Sequence, residues 1–213
     1  MDIIPGIAEL DPKELARKIA LVLPYVDWIQ LDIADETLVA SKTFTDVAAL
    51  EHILKPLQKL GKHVEAHLLV DDPVQLLKSV SQAGFERVTA QIECQDPQEF
   101  LAEARSFETE VGLAIGADSE IEVIEPFLEE LDYVVVMTGE LDSTKHIFQP
   151  ETVEKIKIIH RNLPDLPIVA EVGITPETVK LVRDAGAARV VVGGYLFTNE
   201  HKIAEAIEQI KDG

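Results

Sequence analysis

The chain has 213 residues, 46% hydrophobic and 27% charged, a balance that suits a soluble globular protein with one sizeable core. Its 19 basic and 39 acidic residues give a formal charge of −20, which argues against nucleic acid and anionic membrane surfaces as partners. No apolar run approaches a membrane span, no cationic-then-apolar leader precedes the first strand, and lone Cys94 excludes an internal disulfide and fits a reducing, cytoplasmic compartment.

Short apolar runs alternate with longer amphipathic segments along the whole chain. Strands are predicted at Ile3–Ile7, Trp28–Ile33, His63–Val70, Arg87–Ile92, Val111–Ile115, Tyr133–Met137, Ile168–Val172 and Arg189–Val192. Helices are predicted near Pro12–Leu23, Val47–Leu60, Pro73–Ala83, Pro97–Phe107, Ser119–Leu131, Pro150–Arg161, Pro176–Ala185 and His201–Lys211. Asp11-Pro12, Asp72-Pro73, Asp96-Pro97 and Thr175-Pro176 read as helix starts, since proline costs nothing where the amide has no helical partner. Gly61, Gly84 and Gly186 follow helical segments as left-handed caps. Eight strand–helix units in strict alternation imply a parallel sheet closed into a (β/α)8 barrel, with one domain over residues 1–213. An open doubly wound sheet is the alternative, but the first strand lacks a glycine-rich dinucleotide turn.

In such barrels the working end is the C-terminal edge of the strands. Along strand two Gln30 and Asp32 alternate with Ile29, Leu31 and Ile33, and Trp28 is expected in the helix layer. His63, Glu65 and His67 share one face of strand three, with His67 nearest the working end and His63 roughly 13 Å lower. Strand four offers Thr89, Gln91 and Glu93, and strand seven offers Glu171. Asp32 and Glu171 should therefore face each other across the barrel mouth, with His67 beside Asp32. Two carboxylates and an imidazole in one cavity suit a divalent metal, or an acid and a base on opposite faces of a substrate. They equally suit a hydrogen-bonded polar plug. Cys94 has no visible positive neighbour and reads as a packed small residue.

At these residues the chain resembles the ribulose-phosphate 3-epimerase family. Asp27-Trp-Ile-Gln-Leu-Asp-Ile-Ala-Asp35 is similar to that family's Asp-Trp-Ile-His-x-Asp-x-Met-Asp segment, and Ala66-His-Leu-Leu-Val70 followed by Pro73 to its x-His-Leu-Met-Val…Pro. Ile4-Pro-Gly-Ile7, Val111–Ile115, Tyr133–Thr138 and Val192-Gly-Gly194 resemble its first, fifth, sixth and eighth strands. The resemblance implies a metal, commonly zinc, iron or manganese, held by two His and two Asp, with the Asp pair moving a proton on and off the carbon beside a carbonyl. Carried over by position, the set is Gln30, Asp32, His67 and Glu171. Asp32 and His67 match, Glu171 is one methylene longer, and Gln30 replaces an imidazole with an amide, a poor metal ligand. The remaining Asp, Glu and His suit a harder ion such as manganese or magnesium better than zinc.

Other positions depart as well. The family's first-strand Ser is Gly6, its loop after strand two becomes Asp35-Glu-Thr-Leu-Val-Ala-Ser41, and two of its methionines correspond to Ala34 and Leu69. The glycine-rich loop after strand six reads Gly139-Glu-Leu-Asp-Ser-Thr-Lys-His146, and the double glycine after strand seven is reduced to Gly173. What survives for a phosphate is Gly193-Gly194, with Gly173 and Thr175 at a helix start, where backbone amides form the usual cradle of these barrels. Gly193-Gly194 also reads as a tight strand-to-loop turn. Lys145 and His146 are candidate substrate-loop residues. The resemblance thus implies an epimerase-like enzyme acting on a small sugar phosphate, of a class that often forms homo-oligomers. The alternatives are a related barrel with a changed substrate or metal-free isomerase or lyase chemistry, and a non-catalytic ligand-binding barrel.

Overall fold

The computed structural model describes residues 1–141 and 147–213, so Lys145 and His146 lie outside the described residues. Eight parallel strands close into a barrel: β1 (Asp2–Ile7), β2 (Trp28–Ala34), β3 (His63–Leu69), β4 (Arg87–Gln91), β5 (Glu110–Ile115), β6 (Tyr133–Met137), β7 (Ile168–Glu171) and β8 (Arg189–Val192). Closure comes from β1 pairing with β8, Asp2 through Pro5 lying opposite Arg189 through Val192. Around them run α1 (Pro12–Val22), α2 (Val47–Lys59), α3 (Val74–Ala83), α4 (Pro97–Ala104), α5 (Val153–Asn162), α6 (Val179–Ala185), α7 (Gly194–Thr198) and α8 (Ile203–Asp212). Among the described residues no helix is long and apolar enough to cross a membrane.

Local chemistry accounts for these elements. Asp11 and Asp96 cap α1 and α4 by accepting from the amides of Lys13 and Glu99, both at 2.8 Å, with proline in the first turn of each helix. Leu15, Ile19 and Val22 form the buried stripe of α1. Gly61, Gly84 and Gly186 have positive φ, as expected of left-handed helix ends.

Several element boundaries differ from expectation. The segment predicted as a helix over Ser119–Leu131 forms two 3₁₀ turns, Ile121–Val123 and Glu125–Glu130, because Pro126 cannot continue an α-helical ladder through that stretch. Helices α3 and α6 begin at Val74 and Val179, one and three residues after the prolines. A short helix, α7, follows β8 directly, so Gly194 opens a helix where a loop was expected.

Strand parity divides the core in two. Outward residues such as Ile29, Leu31, Leu68 and Val134 pack beneath the helices, while Ile4, Ala114, Tyr133, Val135, Met137, Val169 and Val191 fill the barrel interior. Trp28 shares parity with Gln30 and Asp32, and it packs against the interior cluster rather than entering the helix layer, which corrects the expectation. Its ring stacks on His63 with centroids 4.7 Å apart, and the Arg87 guanidinium lies 3.5 Å from its centroid.

These residues form a polar layer toward the N-terminal end of the barrel, away from His67. His63 Nδ1 lies 2.7 Å from Glu86, and the Tyr133 and Thr89 hydroxyls are 2.8 Å apart. Arg87 donates to Glu110 at 2.5 Å and to the buried Glu65 at 3.4 Å. Because Glu110 takes the shorter bond, Arg87 only partly offsets the burial of Glu65. Burial therefore prevails and pushes the Glu65 carboxyl up to about 7.

A carboxyl raised in the folded state binds more protons there than in the unfolded chain, so its contribution to stability is lost as pH rises. For Glu65 the window runs from its ordinary 4.5 to about 7. Glu65→Gln is expected to remove that slope and to raise unfolding free energy at pH 8 by on the order of 3 kcal/mol. Chemical denaturation at pH 4.5 and pH 8 checks this; a variant less stable than wild type at pH 8 contradicts it.

Candidate functional site

The site is built where β2, β3, β4 and β7 end. The β2–β3 register sets Asp32 opposite His67, and the β6–β7 register sets Met137 opposite Glu171. Parity turns Gln30, Asp32, His67, Gln91 and Glu171 into the barrel, and of these only Asp32 retains appreciable exposure.

Asp32 and Glu171 converge on one amide. Gln30 Nε2 donates to Asp32 Oδ1 and to Glu171 Oε1, each at 2.8 Å. His67 is beside Asp32 in register, but its Nδ1 approaches Glu171 Oε2 instead, at 3.1 Å. At that distance the two form an ion pair when His67 is protonated, and neither buried atom has another partner among the described residues. On its far side His67 Nε2 lies 2.8 Å from Gln91 Nε2. One ligand atom from each of Asp32, His67 and Glu171 lies within 4.8 Å of the others, a group able to hold a metal ion. Two hard oxygens and an imidazole suit a divalent cation, and the unpartnered His67 and Glu171 atoms agree with that fit.

The electrostatics follow from burial and crowding. Burial raises the Asp32 carboxyl, the nearby Glu171 charge raises it further, and His67 with the Gln30 hydrogen bond pulls it back, to about 6. Burial pulls the His67 imidazole down, but the carboxylates of Glu171, Asp32 and Glu65 outweigh it and the net shift is upward.

Supporting contacts hold the strand ends. Thr43, in the loop after β2, donates its hydroxyl to the Asp32 carbonyl at 2.7 Å and accepts from the Ala34 amide at 2.9 Å. Leu38 and Val39 of that loop pack with Ala34, Leu69 and Leu141 into an apolar rim, and Leu141 also touches the interior cluster. Thr138 donates its amide to the Glu171 carbonyl at 2.6 Å and its hydroxyl to the Val172 carbonyl at 2.5 Å. Sequence reasoning missed Thr43 and Thr138, since a hydroxyl in a loop carries no periodic signal. Gln91 was visible by parity, but its contact with His67 was not.

Other candidates are accounted for differently. Glu93 accepts from the Gly116 amide at 2.8 Å and from Ser119, so it braces the turn after β5. Lys155 caps the carbonyls of Gly116, Ala117 and Ser119 in the same turn. Burial pushes the Cys94 thiol up to about 11, in keeping with a packed residue rather than a nucleophile. A side chain on Gly193 would place its Cβ 2.9 Å from the Gly6 carbonyl oxygen, so the glycine allows the ends of β8 and β1 to approach.

After Glu171 the chain turns sharply through two residues of positive φ, Val172 at 79° and Gly173 at 72°. Glycine adopts this freely, whereas a β-branched residue is strained there by about 1–3 kcal/mol. The Val172 side chain packs against the interior cluster, with Gly139 leaving room for its Cγ1. An unusual order of variants follows. Val172→Ala keeps a Cβ in the strained region, and Val172→Gly releases it, so the glycine variant should be the more stable of the two by about 1 kcal/mol. Thermal or urea unfolding of both tests this, and the ordinary order, with alanine above glycine, contradicts the strain.

Comparison with known proteins places this geometry in context. The model of the ribulose-phosphate 3 epimerase family matches residues 2–197. The chain is 27% identical over 197 residues to a ribulose-phosphate 3-epimerase of Schizosaccharomyces pombe, covering 92% of this chain and 86% of that protein. It is 29% identical over 180 residues to one from Chlamydia pneumoniae, covering 80% and 76%. Among solved structures, a 3-hexulose-6-phosphate synthase superposes with a TM-score of 0.75 at 16% identity, covering 99% of this chain and 98% of that one. A 3-keto-L-gulonate-6-phosphate decarboxylase from Vibrio cholerae gives 0.72 at 13% identity, covering 99% and 97%. At those identities the structural likeness speaks for the barrel alone.

Proposed function

This chain belongs to the ribulose-phosphate 3-epimerase family, and on that premise we propose that it moves a proton off and back onto the carbon beside the carbonyl of a phosphorylated ketose, through an enediolate. The observation that carries this reading is the meeting of Asp32 and Glu171 on one amide at the mouth of the barrel. Inverting a carbon centre needs one group to take a proton from one face and another to return it on the opposite face. Asp32 and Glu171 are the acid–base pair in this reading. An Asp32 carboxyl raised to about 6 is well matched to that task near neutral pH, because both its protonated and ionised forms are accessible.

Asp32, His67 and Glu171 are also the residues that would hold a divalent ion such as manganese, iron, zinc or magnesium. When bound, such an ion supplies positive charge against oxygens that become negative during the reaction. His67 otherwise orients Glu171, and the rim of Val39, Leu69 and Leu141 limits water around the pair. The phosphate is assigned to backbone amides at Gly173, Gly193 and Gly194, which suits a chain whose overall charge of −20 repels anions.

The test is epimerisation of ribulose 5-phosphate at carbon 3. Asp32→Asn should lower kcat by about 10²–10⁴-fold with KM within a few-fold and an unchanged circular dichroism spectrum. Activity retained in that variant removes Asp32 from the mechanism. A wild-type protein that binds the ketose without epimerising it points to a changed substrate or a binding role.

A further inference from the structure

Gln30 uses both of its N–H groups. One goes to Asp32 and the other to Glu171, each at 2.8 Å, and Gln30 is 2% exposed, so the amide is shielded from bulk water although Asp32 is half-buried. A primary amide has nearly the same outline when turned by half a rotation about its last torsion, but its polarity reverses. With N–H groups inward it offsets the repulsion between two carboxylates. With its oxygen inward it would add a third negative pole to them, which is tolerable only if a positive charge sits among the three. The direction of this amide is therefore tied to what occupies the space between Asp32, His67 and Glu171.

We propose that Gln30 sets the cation selectivity of this site: it holds Asp32 and Glu171 together by donating one N–H to each, and it admits a divalent ion only by turning its oxygen inward. An amide oxygen is a hard, neutral ligand. Together with two carboxylates it makes an oxygen-rich set that favours magnesium or manganese and is a weaker match to zinc, which prefers an additional imidazole. Gln30 acts as a positioning residue when its N–H groups face inward and as a ligand when its oxygen does. This inference rests on the proposed function only in taking the cluster as the site.

The experiment titrates chelator-treated wild type, Gln30→His and Gln30→Leu with manganese and with zinc by calorimetry, and follows the melting temperature in parallel. Gln30→His should shift the zinc-to-manganese affinity ratio toward zinc by at least about tenfold. Gln30→Leu, which leaves the carboxylates unbridged, should melt below wild type in chelator and should gain more from manganese than wild type does. A purely structural glutamine would lose stability without becoming more responsive to the ion. An unchanged affinity ratio in Gln30→His overturns the proposal, as does a Leu variant no more responsive to manganese than wild type, or binding of neither ion to any of the three proteins. Should Gln30→Leu fail to fold, the ratio in Gln30→His decides alone. Turnover is not read, so failure here leaves the proton-transfer reading standing, and failure of epimerisation leaves this one.

Discussion

Everything at the mouth of this barrel depends on two negative groups, one buried and one half-buried, being held within reach of one another. Asp32 and Glu171 come from strands on opposite sides of β1 and β8, and closing the sheet through the β1–β8 pairing is what brings them together. Two carboxylates in a poorly solvated place repel, and the structure answers with the Gln30 amide between them and the His67 ring beside Glu171. The answer is incomplete, since His67 Nδ1 and Glu171 Oε2 have only each other, at 3.1 Å, among the described residues. A site of this kind carries unspent electrostatic energy, which a proton, a cation or a ligand can release.

The interior is graded along the barrel axis. At the N-terminal end Arg87, Trp28, His63 and Tyr133 interlock by stacking and hydrogen bonds around Glu65, and the layer is committed to structure. Above it, apolar residues including Val135, Val169 and Val191 separate that layer from the mouth. At the mouth the backbone itself is under load: Thr138 ties down the carbonyls of Glu171 and Val172, while Val172 is held at positive φ. Rigid packing below and local strain above is the arrangement expected where a side chain must be aimed at a ligand.

The fold was largely legible in the sequence because each strand carries a distinct apolar run and most connections carry helix punctuation. Where it failed, a single residue explains the failure. Pro126 broke a helix that periodicity supported, and Trp28 was placed among the helices although its parity with Gln30 and Asp32 puts it inside. The members of the site were readable from strand parity, but their contacts were not. No spacing rule reveals that Gln30 bridges its strand neighbour Asp32 and Glu171, a residue 141 positions away from it, or that His67 turns to Glu171. Side-chain rotation decides those contacts, and it is fixed only by the closed barrel.

The central claim is that Asp32 and Glu171 serve opposite faces of one carbon. It is tested most directly in deuterated water, by following label entering carbon 3 of ribulose 5-phosphate and of its carbon-3 epimer with Asp32→Asn and with Glu171→Gln. If each carboxylate owns one face, each variant still labels one epimer and not the other, and the two variants show complementary patterns. Label lost from the same epimer in both variants, or from neither, would contradict the account.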